Sequence, residues 1–327
     1  MNTTFANARV LITGGLGFIG SNLAIRLVEA GAHVTLVDSL VPEYGGNPVN
    51  IAPVAERVTV NISDVRDPHS MHHLVQGQDY LFNLAGQTSH MDSMQDPFTD
   101  LEINCKAQLS ILEACRHHNP HVRLIYASTR QFYGKPEYLP VDEQHPLKPV
   151  DVNGIHKLAG EWYHTLYSRV YDMNACSLRL TNTYGPRMRI KDARQTFVGI
   201  WIRLILEGKA FEVWDGHQKR DFTYVDDVVD AMLTCAQHDA TRGQAYNLGG
   251  MEVVSLSELA ELLIAAHGGG EAAHKSFPAD RKRIDIGDFY ASYDLLKDTV
   301  GWSPRVPLRD GLKRTLAYYR DHLADYL

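Results

Sequence analysis

The sequence predicts an α/β fold: a doubly wound parallel sheet with a smaller α/β cap in its C-terminal half. Three observations point there. Short apolar runs of strand length alternate with helix-length segments through the first half of the chain, as in a parallel sheet covered by helices on both faces. A glycine cluster, Thr13-Gly14-Gly15-Leu16-Gly17-Phe18-Ile19-Gly20, sits at the first strand-to-helix junction. An acidic residue, Asp38, ends the second apolar run.

In chain order, strands are expected at 9–13, 33–38, 58–61, 80–84, 123–127 and 175–180, and the first helix at 21–30, closed by Gly31. Ile103, Ala107, Ile111 and Ala114 form one helical stripe, with Leu109 and Leu112 lying off it. Leu158, Trp162, Leu166 and Val170 form a stripe on a second helix. A helix apolar beyond one stripe must bury two faces. Deep burial within one chain and a helix-pair interface, giving a homodimer through a four-helix bundle, both meet that need. The pattern changes after Gly185-Pro186: short strands are expected within 209–215 and 243–250, and helices at 255–267 and 308–323. Ser255 and Glu258 have capping-box spacing, and Gly268-Gly269-Gly270 ends that helix.

Composition bounds the function. The 327 residues are 44% hydrophobic, enough for a real core. Lys+Arg 32 against Asp+Glu 39 gives a net charge of −7, and the absence of a basic run argues against nucleic acid as partner. No apolar stretch approaches the roughly 20 residues that span a bilayer, and the polar start of the chain does not read as a signal peptide, so a cytoplasmic protein without membrane contact is expected. Cys105, Cys115, Cys176 and Cys235 are widely spaced and read as buried free thiols. No metal is expected, since neither C-x-x-C nor H-E-x-x-H occurs.

The glycine cluster has a specific chemistry. Gly14 permits a tight turn, Gly17 lets a pyrophosphate approach the helix N-terminus, and Gly20 lets that helix pack closely on the sheet. Asp38 stands near the offset of about 20 residues at which a carboxylate grips the adenosine ribose. A carboxylate there repels a 2′-phosphate, which favours NAD over NADP. The expected organisation is therefore a Rossmann-type NAD-binding domain at 1–180 and a substrate-binding region at 181–327, with 221–250 returning to the first.

With these motifs in hand, the chain resembles the extended short-chain dehydrogenase/reductases, specifically the sugar-nucleotide epimerases, dehydratases and decarboxylases. The resemblance covers nearly the whole chain and rests on five further segments. Asp64-Val65 looks like the pair that contacts adenine. Asn83-Leu84-Ala85-Gly86 is similar to the segment passing under the dinucleotide. Ser128-Thr129-Arg130-Gln131-Phe132-Tyr133-Gly134 resembles the strand end that carries the catalytic Ser/Thr, here Thr129. The runs 178–188 and 220–227 resemble substrate-half signatures, and positions matching Asn182 and Arg220 contact the nucleotide diphosphate in relatives. The closest local similarity is to UDP-glucuronate decarboxylases. The resemblance implies Gly14, Gly17, Phe18, Ile19, Gly20, Asp38, Asp64, Val65, Leu84, Ala85, Gly86 and Lys157 as cofactor contacts. A diphosphate needs guanidinium partners, for which Arg187, Arg189, Arg194, Arg220, Arg281 and Arg283 are candidates. Arg220 leads, with Arg187 and Arg283 beside it.

One position departs from the family. Its Tyr-x-x-x-Lys keeps the lysine as Lys157, but the tyrosine position is Asn153, and an amide is no general base near neutral pH. The dehydratase acid pair after the threonine is Arg130-Gln131 here, and the decarboxylase glutamate is also missing. Arg130 suits an anionic part of a sugar. His90, just past a strand end, is a candidate replacement base, as is Lys157 with a lowered pKa; His156 points away on its helix, and Tyr184 is a further option. The expected function is an NAD-dependent nucleotide-sugar epimerase or dehydratase-type enzyme working by hydride transfer. The alternatives are a nucleotide-uronate decarboxylase and a catalytically weak NAD- and sugar-nucleotide-binding subunit or sensor.

Overall fold

The computed structural model describes residues 3–277 and 285–327. Seven strands form one parallel sheet: β1 (Arg9–Thr13), β2 (His33–Asp38), β3 (Val58–Ile62), β4 (Tyr80–Asn83), β5 (Arg123–Thr129), β6 (Asn174–Leu180) and β10 (Ala245–Leu248). Their order is β3-β2-β1-β4-β5-β6-β10, and every pair is parallel. Strand order reverses between β1 and β4, so a crevice opens at the carboxyl ends there, the place where doubly wound sheets bind ligands.

The central strands are buried on both faces, as parallel strands between helix layers must be. β1 hides Val10, Leu11 and Ile12 completely, and β5 hides Leu124, Ile125 and Tyr126. The helices around this sheet include α1 (Phe18–Glu29), α2 (Pro68–Leu74), α3 (His90–Gln95), α4 (Pro97–Leu101), α5 (Ala107–His118), α6 (Val152–Tyr171) and α8 (Val225–Gln237), while α7 (Phe197–Leu206) packs within the C-terminal half. α1 starts three residues earlier than expected, because Gly17 alone is extended and Phe18 is already helical. β5 runs two residues beyond its expected end, since Ser128 and Thr129 pair with Arg179 and Leu180.

The C-terminal half builds two small sheets. β7 (Asn182–Tyr184), β9 (Lys219–Tyr224) and β11 (Val253–Ser255) form one, and β8 (Phe211–Trp214) pairs with β12 (Ala272–Lys275) in the other. Residues 221–224 stay in the small sheet with β7, and the chain returns to the large sheet only with α8 and β10. Ile111, Ala107 and Ala114 of α5 are buried in the monomer, whereas Trp162, Leu166 and Val170 of α6 are exposed. Cys115, Cys176 and Cys235 are buried free thiols, and Cys105 is half-buried instead of buried.

Candidate active site

A cavity of about 830 Å³ lies along the carboxyl ends of β1, β2, β4, β5 and β6. At its cofactor end, Gly14 turns back on itself with φ +67°, and its N–H donates to Val37 at 2.8 Å. A Cβ on Gly14 would stand 3.0 Å from Ala85 N, and one on Gly20 would stand 2.2 Å from the Gly14 carbonyl. These positions exclude any side chain, so α1 meets β1 closely. No side chain caps the head of α1, and Gly17, Phe18, Ile19 and Gly20 line the cavity. The bare amides of that first turn suit a pyrophosphate.

Asp38 is held by Leu16 N–H at 3.1 Å and Leu40 N–H at 3.0 Å. Burial pushes its carboxyl up, and those two N–H groups pull it back. Asp64 is clasped by Arg66, whose guanidinium holds it below the usual carboxylate range, and Val65 is buried beside it. Leu84 and Ala85 each donate an N–H to Thr13 Oγ1 at 3.1 Å. That hydroxyl anchors 84–86 as the cavity floor. Glycine turn, helix head, carboxylate and floor together fit an NAD.

Lys157 lies under this floor. Its Nζ donates to Ala127 O at 3.1 Å, and a Cβ on Gly86 would stand 2.9 Å from it. Burial brings its pKa down to about 8. Thr129 closes β5 at the cavity wall, its Oγ1 accepting from Gln131 N–H at 3.2 Å. Ser128 instead turns its hydroxyl to Glu161 at 2.7 Å.

Asn153 lines the cavity but its amide is engaged beneath it: Nδ2 donates to Gln87 O at 2.9 Å and to Asp100 Oδ2 at 3.0 Å. His90 also lines the cavity, with its Nδ1 3.0 Å from Asp151 Oδ2. His156 is withdrawn to Asp100 at 2.7 Å, and Tyr184 is a buried core phenol bonded to Leu308 O. Neither lines the cavity.

The opposite end is cationic. Arg220 is buried and lies 3.6 Å from Asp285. Arg130 donates to Asn182 Oδ1 at 3.1 Å and lies over the Phe289 ring; burial and then the neighbouring Arg220 bring its pKa down to about 10. Its Nη1 is shut off from solvent and has no hydrogen-bond partner among the described residues. Arg187 corrects the expectation: it donates to Asn50 O and Asn22 Oδ1 and lies over Tyr318, outside the cavity. Its φ of +73° turns the chain there, and its guanidinium braces α1 through Asn22. Arg194 lines the cavity, paired with Asp92, while Arg189 is spent on Asp192 and Pro42 O. Arg281 and Arg283 lie outside the described residues.

Sequence reasoning missed the polar layer below. Buried Asp100 accepts from Asn153, Asn104 and His156, and Gln87 O accepts from both Asn104 and Asn153. Asp151 had a legible signal, an acidic cap three residues before Gly154, to whose N–H it bonds at 2.7 Å. Asp100 and Asn104 bond to each other across one helical turn, but nothing in the sequence ties them to Gln87, Asn153 and His156, which are remote along the chain.

The family model described as NAD dependent epimerase/dehydratase family matches residues 10–249. The chain belongs to that family. It is 29% identical over 317 residues to a UDP-glucose 4-epimerase of Mycolicibacterium smegmatis, covering 96% of this chain and 99% of the relative. It is 31% identical over 327 residues to UDP-glucuronic acid decarboxylase 1 of Xenopus tropicalis, covering 96% and 73%. The UDP-glucose 4-epimerase of Thermotoga maritima, solved with UDP-glucose, superposes with a TM-score of 0.88 at 30% identity, covering 96% of this chain and 99% of that one. No helix among the described residues is long and apolar enough to cross a membrane.

Proposed function

We propose that this family member oxidises a sugar carbon of a nucleotide-diphosphate sugar, as an epimerase- or dehydratase-type enzyme. The observation that carries the reading is the continuity of the cavity, which is lined by Gly17 and Asp38, by Thr129 and Lys157, and by Asn182, Arg130 and Arg220. NAD, when bound, supplies the two-electron oxidant for an alcohol carbon. The glycine turn, Asp38 and the 84–86 floor would hold it, with Lys157 beneath the floor. Thr129 Oγ1 takes the Gln131 N–H, which leaves its own hydroxyl proton free for a sugar oxygen. Arg220 and Asn182 are proposed to take the diphosphate. Residues 1–180 thus serve the cofactor and 181–327 mainly the substrate. Purified protein incubated with a panel of nucleotide sugars should yield an epimer or a dehydrated keto sugar by mass spectrometry and NMR. No change in any of them, with no NADH absorbance, would defeat the reading.

A second reading, nucleotide-uronate decarboxylation, draws on Arg130 Nη1, which has no hydrogen-bond partner among the described residues and lies near Arg220, a pairing that suits a sugar carboxylate. Carbon dioxide release from UDP-glucuronate decides it. The exposed stripe of Ile155, Trp162, Leu166 and Val170 on α6 is proposed to meet its copy across a two-fold axis, giving a homodimer through a four-helix bundle.

A further inference from the structure

We infer that His90, oriented by the buried carboxylate of Asp151, is the proton acceptor that stands in for the tyrosine missing at residue 153. The inference rests on the alcohol-oxidising reading above. His90 opens α3, whose head is fixed by Ser89 Oγ accepting from Asp92 N–H at 3.2 Å. Its Nδ1 is shut off from solvent 3.0 Å from Asp151 Oδ2, within ion-pair distance but not aligned as a hydrogen bond, and 38% of the side chain is open. The ring lines the cavity, and with Nδ1 shut off from solvent Nε2 is assigned to the open edge.

Asp151 is a fixed partner. It accepts from Gln131 Nε2 at 2.8 Å and from Gly154 N–H at 2.7 Å. Burial alone would raise its carboxyl, but the His90 ring and these donors outweigh burial and keep it below the usual range, hence ionised at neutral pH. A carboxylate 3.0 Å from Nδ1 favours a proton on that nitrogen, a small turn of the ring aligning the two, and leaves the Nε2 lone pair for an incoming hydroxyl. The scaffold is shared: Gln131 also holds Thr129, and Asp151 caps the helix that carries Lys157. The base is thereby built into the same frame as the other two cavity groups.

The other candidates are excluded by their partners. The Asn153 amide donates to Gln87 and Asp100. Lys157 is turned under Gly86 toward Ala127 O, His156 is paired with Asp100, and Tyr184 is buried in the core. In the proposed step the sugar O–H bond breaks and its proton goes to His90 Nε2. The C–H bond breaks with its electron pair as the carbon becomes a ketone, and NAD, when bound, would supply the two-electron acceptor for that hydride. Asp151 stabilises the imidazolium until the proton is returned. Asp151 faces the ring directly, and Lys157, Arg130 and Arg194, the last paired with Asp92, line the same cavity.

The test has two arms, both on full-length protein. In ¹⁵N-labelled protein, long-range ¹H–¹⁵N spectra should show the Nδ1–H tautomer for His90, lost in Asp151→Asn. His90→Gln should lower kcat by about 100-fold or more, leave UDP binding within about twofold by calorimetry, and abolish a histidine limb in the pH–kcat profile; added imidazole should restore part of kcat in His90→Gly. An Nε2–H tautomer in the parent overturns the inference, as does His90→Gln keeping more than about a tenth of parental kcat. Either result beside an active parent sinks His90 alone. A parent inert toward every nucleotide sugar sinks the alcohol-oxidising reading and this one together.

Discussion

Arg187 and Arg220 both belong to segments with the look of substrate signatures, yet they meet different fates. Arg220 is buried at the cationic end of the cavity, where a charge-assisted contact to phosphate is worth about 1.5–3 kcal/mol. Arg220→Ala should weaken UDP binding by roughly 10- to 100-fold in calorimetry, with NAD content unchanged. Arg187 ties Asn50 and Asn22 together and covers Tyr318. Arg187→Ala should leave UDP affinity intact and lower unfolding free energy by about 1–3 kcal/mol in urea titration. Residue type and spacing made both arginines candidates; backbone direction separated them.

Among the elements, α6 carries the most chemistry. Asp151 caps it, Asn153 and Lys157 line the cavity, and Glu161 receives both Ser128 and the buried Arg179. His164 stacks on Tyr126 with ring centroids 4.2 Å apart and bonds to Gly160 O. Burial pushes its pKa down to about 4, whereas an unfolded histidine titrates at about 6.5. Between those values the unfolded chain binds a proton that the folded one refuses, so stability falls as pH drops from about 6.5 to 4. His164→Phe should flatten that slope, measured as urea midpoints between pH 7 and pH 4. A slope unchanged by the substitution would assign the acid sensitivity elsewhere. The helix itself was legible from its apolar spacing, but its burden of buried polar groups was not, since their partners sit on β5, β6 and α4.

At the scale of the whole molecule, α5 and α6 resolve the ambiguity of the two apolar stripes differently. Ile111 and Ala114 are consumed by the core of one chain, whereas Trp162 and Val170 are each 58% exposed. Several large apolar side chains open along one helix face are typical of an unpaired interface. The proposed dimer predicts that the parent sediments at twice the chain mass and that Leu166→Asp sediments as a monomer. A parent that is monomeric at micromolar concentration would retire the four-helix bundle.

The sequence by itself determined the strand–helix alternation, the glycine turn, Asp38 and the loss of the tyrosine at Asn153. Each is local: one βαβ unit contains the turn, the helix head and the ribose acid, so spacing alone places them together. Only the tertiary structure decided which arginine faces the cavity, that Asn153 is bound from below by Asp100, and that His90 meets Asp151. Those outcomes depend on side-chain directions and on partners brought together across the sheet, where closing the chain, and not the order of its residues, decides what each polar atom can reach.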